Sequence, residues 1–189
     1  MLFRSANTPL NTLIRALGDA AGNSLYELAW GRDFREVTID EPDKSISAAE
    51  TFSSDLEDSQ EILRELLRLT EKATSRMRTR QLMANTISIK VRFADFKTIS
   101  KSKTVDLPIS GTQECYLVAK KLYESLKLDG ARIRLVGISL ENLIDQSDSV
   151  EQLTLGQRPV GWRQAEAAVD DVSEKFGQGA VRPARLIGD

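Results

Sequence analysis

The sequence predicts an α+β fold, a four-stranded antiparallel sheet with two helices on one face, in the order β-α-β-β-α-β. Three observations carry this. Two long segments place apolar residues at helical spacing along a single stripe, so each helix can cover only one surface. The segment Thr86–Phe93 alternates strictly between apolar and polar residues, as a half-buried strand does. Strand-like runs bracket both helices in an order that hairpins and short loops can close.

Residues 8–31 read as short helices. Thr8 before Pro9 makes a cap and first-turn pair. Leu10, Leu13, Ile14 and Leu17 recur at helical spacing before Gly18, and a second helix carries Leu25, Leu28 and Ala29 to a stop at Trp30-Gly31. This is too little chain for a domain and reads as the end of one. Residues 32–43 are charged, contain Pro42 and lack periodicity, so they read as a linker. Ser45 to Ser54 is expected as the first strand. Asp58 with Glu61 is an acidic capping box for a helix built on Ile62, Leu66, Leu69, Ala73 and Met77 and running to about Arg80. In the next strand Ile87, Ile89, Val91 and Phe93 point inward and Thr86, Ser88, Lys90 and Arg92 outward. Thr98 to Leu107 follows as a third strand. Ser110 with Gln113 predicts a capping box for a helix with stripe Cys115, Val118, Ala119, Leu122 and Leu126, ended by Asp129-Gly130. Arg132 to Leu140 is the last strand of the sheet, and its broken alternation predicts a bulge around Gly137. Beyond Leu143 the chain is a polar linker. Ala165, Ala168, Val169, Val172 and Phe176 then predict one more amphipathic helix, with a short strand over 180–187.

Composition excludes whole classes of chemistry. The 189 residues are 41% hydrophobic and 29% charged, ordinary values for a soluble globular chain, and no apolar run reaches the roughly 20 residues of a membrane helix. Arg4, Asn7 and Pro9 break the first residues as a leader, and Cys115 is the sole cysteine, so a cytoplasmic location and no membrane partner are expected. The absence of histidine removes every Ser-His, Cys-His and His-metal arrangement. No Gly-rich phosphate loop or carboxylate cluster of ligand spacing is visible, so no catalytic residue, metal ligand or cofactor is assigned to these residues.

Charge is separated along the chain although the net value is only -2. Between Arg76 and Lys103 the cations Arg76, Arg78, Arg80, Lys90, Arg92, Lys97, Lys101 and Lys103 face Asp95 alone, whereas Glu36 to Asp58 is acidic. Such a chain can bind a polyanion with one face despite a low pI. A wet sheet face is polar in any antiparallel sheet. Here three strands repeat lysine, arginine, serine and threonine with almost no acid among them. Arg76 and Arg78, at a helix end, are explained by the helix dipole. Trp30 and Trp162 are expected to pack, as is Cys115 on its apolar stripe.

Several strings carry a family likeness. Lys44-Ser45-Ile46-Ser47 with Glu50-Thr51-Phe52, the run Thr86 to Thr104, and Arg132 to Ser139 resemble, in order, strands of the little finger domain of Y-family DNA polymerases of the polymerase IV type. Leu17 to Gly22, Leu28 to Asp33 and Phe176 to Arg182 are similar to the thumb end and tail of actinobacterial members. The resemblance implies the end of a thumb over 1–31, a linker over 32–43, a little finger over 44–144, and a linker with C-terminal helix over 145–189. It implies a sequence-independent grip on template-primer DNA in lesion bypass, with cations neutralising phosphates and hydroxyls donating to them. Thr86, Ser88, Lys90 and Arg92 form one such row, Ser100, Lys101, Ser102 and Lys103 a second, and Arg132 with Arg134 a third. Lys44, Ser45 and Ser47 resemble the family's template-phosphate contact. Gln152, Leu153 and Leu155 are similar to a sliding-clamp motif in which Gly156 replaces the final aromatic. The family's palm, with its magnesium-binding carboxylates, is not in this sequence, so the chain is not expected to polymerise by itself. The competing reading is a protein-interaction module whose basic sheet face takes an acidic partner.

Overall fold

The computed structural model describes residues 5–36, 43–148, 162–177, 180–181 and 184–186. The chain divides into two units, residues 1–42 and 43–189. The first holds α1 (Leu10–Leu17) and α2 (Asp19–Ala29). Pro9, with ψ 138°, is the cap residue of α1 rather than its first helical residue: its carbonyl accepts the amides of Thr12 and Leu13. At Gly22 an added Cβ would lie 2.7 Å from the Ile14 backbone, so glycine is what lets the two helices approach. Trp30 is 53% exposed, contrary to the packing role expected of it, because it falls at the C-cap of α2 beyond the helix's apolar stripe.

The second unit contains β1 (Ser45–Leu56), α3 (Ser59–Thr79), β2 (Leu82–Phe93), β3 (Thr98–Ile109), α4 (Thr112–Glu124), β4 (Ile133–Asp145) and α5 (Trp162–Phe176). The predicted β-α-β-β-α-β order is observed, and the sheet is antiparallel in the order β1-β4-β2-β3. The helices α3 and α4 lie on one face. From α3, Ile62, Leu66, Leu69, Ala73 and Met77 are buried against Ile87, Ile89, Val91, Val136, Ile138 and Leu140 of the sheet. Each large aliphatic side chain buried this way contributes about 1.5–3 kcal/mol. Asp58 caps α3 by accepting the Gln60 amide at 2.8 Å.

Several expectations need correction. The Ser110–Gln113 box does not form: Gly111 is the cap of α4, and Glu166 of α5 accepts the Thr112 amide at 2.8 Å. The orphan donors of this helix end are thus met from a segment distant in sequence. The predicted bulge is three residues from its expected place. Register is continuous through Gly137, whereas Arg92 pairs with Leu135 and Phe93 with Ile133, leaving Arg134 as the extra residue. Gly137 has a different purpose, because an added Cβ there would meet the Ala49 Cβ at 2.9 Å. The expected strand over 180–187 is instead a 3-10 turn at Ala184–Leu186 among its described residues; Pro183 offers no amide to a ladder. Strands β2 and β4 also exceed their expected limits, beginning at Leu82 and ending at Asp145.

The helix α5 docks on the helical layer. Arg78 of α3 donates to both oxygens of Asp170 at 2.6 and 3.0 Å, to the Ser110 carbonyl at 3.2 Å and to Thr112 Oγ1 at 3.1 Å. Glu166 lies 3.6 Å from the same guanidinium. Arg78 therefore joins three helices, a larger task than balancing the dipole of its own.

Candidate nucleic-acid interface

The face of the sheet opposite α3 and α4 is assembled by register. Directly opposed residues of neighbouring strands share a face. Ser47, Ser139, Ser88 and Ser102 form one row running across all four strands. Beside it lie Ala49, Gly137, Lys90 and Ser100, and then Thr51, Leu135, Arg92 and Thr98. On the other side lie Ser45, Glu141, Thr86 and Thr104. With strands about 4.8 Å apart, a four-residue row spans about 14 Å. Ala49 and Gly137 carry little or no side chain, and the face there sinks into a shallow trough of about 290 Å³ edged by Ser47, Ser88, Lys90, Ser100 and Ser139.

This arrangement divides the residues selected from the sequence. Ser45, Ser47, Ser88, Lys90, Arg92, Ser100 and Ser102 share the open face, and Lys44 is exposed just ahead of β1. Arg92 donates from Nε to Thr98 Oγ1 at 2.9 Å, which aligns its guanidinium along the third row. Thr86 lies on this face but is only 5% exposed, because its hydroxyl meets Thr104 Oγ1 and the Asn142 amide, both at 2.9 Å. Lys101 and Lys103 do not join Ser100 and Ser102. They oppose the buried Ile89 and Ile87, so they emerge on the helix side, where Lys101 Nζ donates to Ser125 Oγ at 2.7 Å. Four consecutive strand residues cannot form one row, since successive side chains alternate faces.

The third expected group is engaged internally. Asp55, whose side chain is 5% exposed, lies 3.0 Å from Arg134 Nε and 3.3 Å from Arg132. Glu57 adds a second carboxylate 3.8 Å from Arg132, and the Arg134 guanidinium rests 4.8 Å over the Phe96 ring. Arg80 is likewise paired, with Asp43. Sequence reasoning missed Asp55 and Glu141. The nearest hint was the acidic run through Asp55, but nothing local indicates which arginine a carboxylate 79 positions away will hold. The segment with Gln152, Leu153 and Leu155 lies outside the described residues. Among the described residues no group of three or more acidic or sulfur ligands could hold a metal ion, and no helix is long and apolar enough to cross a membrane.

Burial pushes the Cys115 thiol up to about 12, aided by the Glu114 and Glu166 carboxylates. That is a packed, unreactive cysteine, far from the open face.

Comparison with known proteins agrees with this architecture. Residues 43–155 match the impB/mucB/samB family C-terminal domain. A curated DNA polymerase IV of Desulfatibacillum aliphaticivorans is 31% identical over 173 residues, covering 89% of this chain and 43% of that protein. DNA polymerase IV 2 of Mesorhizobium japonicum is 32% identical over 189 residues, covering 93% and 46%. The chain thus spans a little under half the length of these relatives. A solved Y-family DNA polymerase chimera shares the fold, with TM-score 0.55 and 23% identity over 76% of this chain and 41% of that one. The match extends over more than half the sequence and includes the whole sheet, so the chain belongs to the impB/mucB/samB family, and its residues 43–155 are that family's C-terminal domain.

Proposed function

We propose that the open sheet face holds the sugar-phosphate backbone of a template-primer duplex, without reading its bases, for a cytoplasmic lesion-bypass DNA polymerase. One observation carries this reading. A row of serine hydroxyls from all four strands lies beside Lys90 and Arg92, over a shallow trough opened by the small residues Ala49 and Gly137. Hydroxyls and cations donate to phosphate oxygens on any sequence, and small residues admit a backbone closely. No apolar pocket or base-stacking aromatic interrupts these rows, which suits an enzyme that must accept damaged bases.

Within this reading, residues 1–31 end the thumb, 44–144 are the little finger and 145–189 the tail, of the actinobacterial type. The magnesium-dependent nucleotidyl transfer belongs to the palm of the parent polymerase, and this chain orients the duplex for it. Gln152, Leu153 and Leu155 are assigned to a sliding clamp. A peptide of residues 148–160 titrated against the clamp tests that assignment, and no binding at high micromolar concentration removes it.

The main test is fluorescence anisotropy with primer-template duplexes of unrelated sequence, beside a Lys90→Glu, Arg92→Glu double variant. The expected result is similar affinity for all duplexes and loss of binding in the variant. Unchanged binding in the variant refutes the assignment of this face. Absence of binding to any duplex transfers the face to an acidic protein partner.

A further inference from the structure

We infer that Glu141 bounds the phosphate track, confining the duplex to the Lys90–Arg92 end of the sheet; this rests on the reading of the open face as a backbone grip. Glu141 is the one acidic residue in the four cross-sheet rows on the open face. Its side chain emerges outward because Leu140 before it is fully buried, and it edges the same trough as Ser47, Ser139 and Lys90. Its row partners, Ser45, Thr86 and Thr104, carry no charge to neutralise it.

A second feature closes the same end. Asn142, at φ 52° within β4, sends its amide to Thr86 Oγ1, which also meets Thr104 Oγ1. The two threonine hydroxyls of that row bond within the protein, whereas the hydroxyls of the serine row next to it make no such closure among the described residues. Beyond it, then, a phosphate meets occupied threonine hydroxyls and a carboxylate. On the opposite side it meets Lys90 and then Arg92.

Alternate residues on one face are about 7 Å apart along a strand, so a phosphate seated on the serine row is about 7 Å from both the Glu141 row and the Lys90 row. A unit charge at that distance through water changes affinity by about threefold. Glu141 therefore acts as a positioning residue: it weakens binding slightly and fixes which way the duplex is displaced across the face.

The experiment compares the full chain with Glu141→Gln, which keeps the shape and removes the charge, and with Glu61→Gln, which removes the same charge from the exposed face of α3. Primer-template binding is read by anisotropy at low salt, after thermal melting verifies equal folding. The expected result is about threefold tighter binding for Glu141→Gln and no change for Glu61→Gln. Equal tightening in both would reduce the effect to net charge and overturn the inference, as would no change in Glu141→Gln. Loss of binding in the Lys90→Glu, Arg92→Glu variant identifies which idea failed. If that variant loses binding while Glu141→Gln is neutral, the grip stands and the boundary falls. If neither variant responds, both fall.

Discussion

The salt dependence of DNA binding should be shallow, and its slope counts which cations are available. Every phosphate neutralised by a protein cation contributes about 0.9 to the slope of log Kobs against log salt. If Lys44, Lys90, Arg92, Lys101, Lys103, Arg132 and Arg134 all met phosphates, the slope would be about -6, and binding would weaken by more than a thousandfold between about 50 and 200 mM salt. The structure withdraws most of these. Lys101 and Lys103 emerge on the helix side, and Arg132 and Arg134 are held by Asp55 and Glu57. Lys44, just ahead of β1, is engaged within the protein, so Lys90 and Arg92 remain on the open face. The slope should then be about -2, a loss of about twelvefold over the same range. The Lys90→Ala, Arg92→Ala double variant should flatten it by about 2. Anisotropy titrations at four or five salt concentrations measure this directly. A slope near -6 would show that the Asp55 ion pairs open on DNA or that Lys101 and Lys103 reach round the edge strand, and the face-by-face accounting would be wrong.

Three further outcomes follow from packing. Gly137→Val should destabilise the domain by about 1–3 kcal/mol, because its side chain has to displace Ala49 across the β1–β4 ladder, and should also weaken DNA binding by filling the trough; urea melts and anisotropy on one preparation check both, and an unaffected affinity would detach the trough from function. Arg78→Ala strips its partners from the mostly buried Asp170 and Glu166 and should cost about 3 kcal/mol of α5 docking. Hydrogen exchange should then rise across 162–177 while β2 stays protected and DNA binding persists; unchanged exchange in α5 would refute this anchor. For Cys115, the unfolded thiol loses its proton near 9 and the folded one near 12, so the folded state binds more protons in between. Stability should fall as pH rises from about 9, by an extra 1.4 kcal/mol or so per unit relative to Cys115→Ala. Parallel pH curves for the two proteins would show that the thiol is not protected.

The order of elements was legible in the sequence because it depends on short-range periodicity. The strict alternation of Thr86–Phe93 and the stripe from Ile62 to Met77 each specify a face, and both faces are where they were expected. Asp58 was legible as a cap because its partner, the Gln60 amide, is two residues away. The cap of α4 was not, because its acceptor Glu166 comes from 54 residues along the chain and no local signal encodes that distance. The candidate site divides in the same way. A strand's own sequence determines that Ser100 and Lys101 point to opposite sides, yet only the register of β3 against Ile87 and Ile89 decides which of them lies on the open face. Likewise the positive charges of Arg132 and Arg134 are plain in the sequence, but their availability depends on Asp55, brought to them across β1 and β4 where Arg134 bulges from the ladder. Residue chemistry and local period belong to the sequence alone. Which charges are already partnered, and on which surface they stand, is decided by contacts between distant segments, because hydrogen bonds and ion pairs act over a few ångströms in space, whatever the separation along the chain.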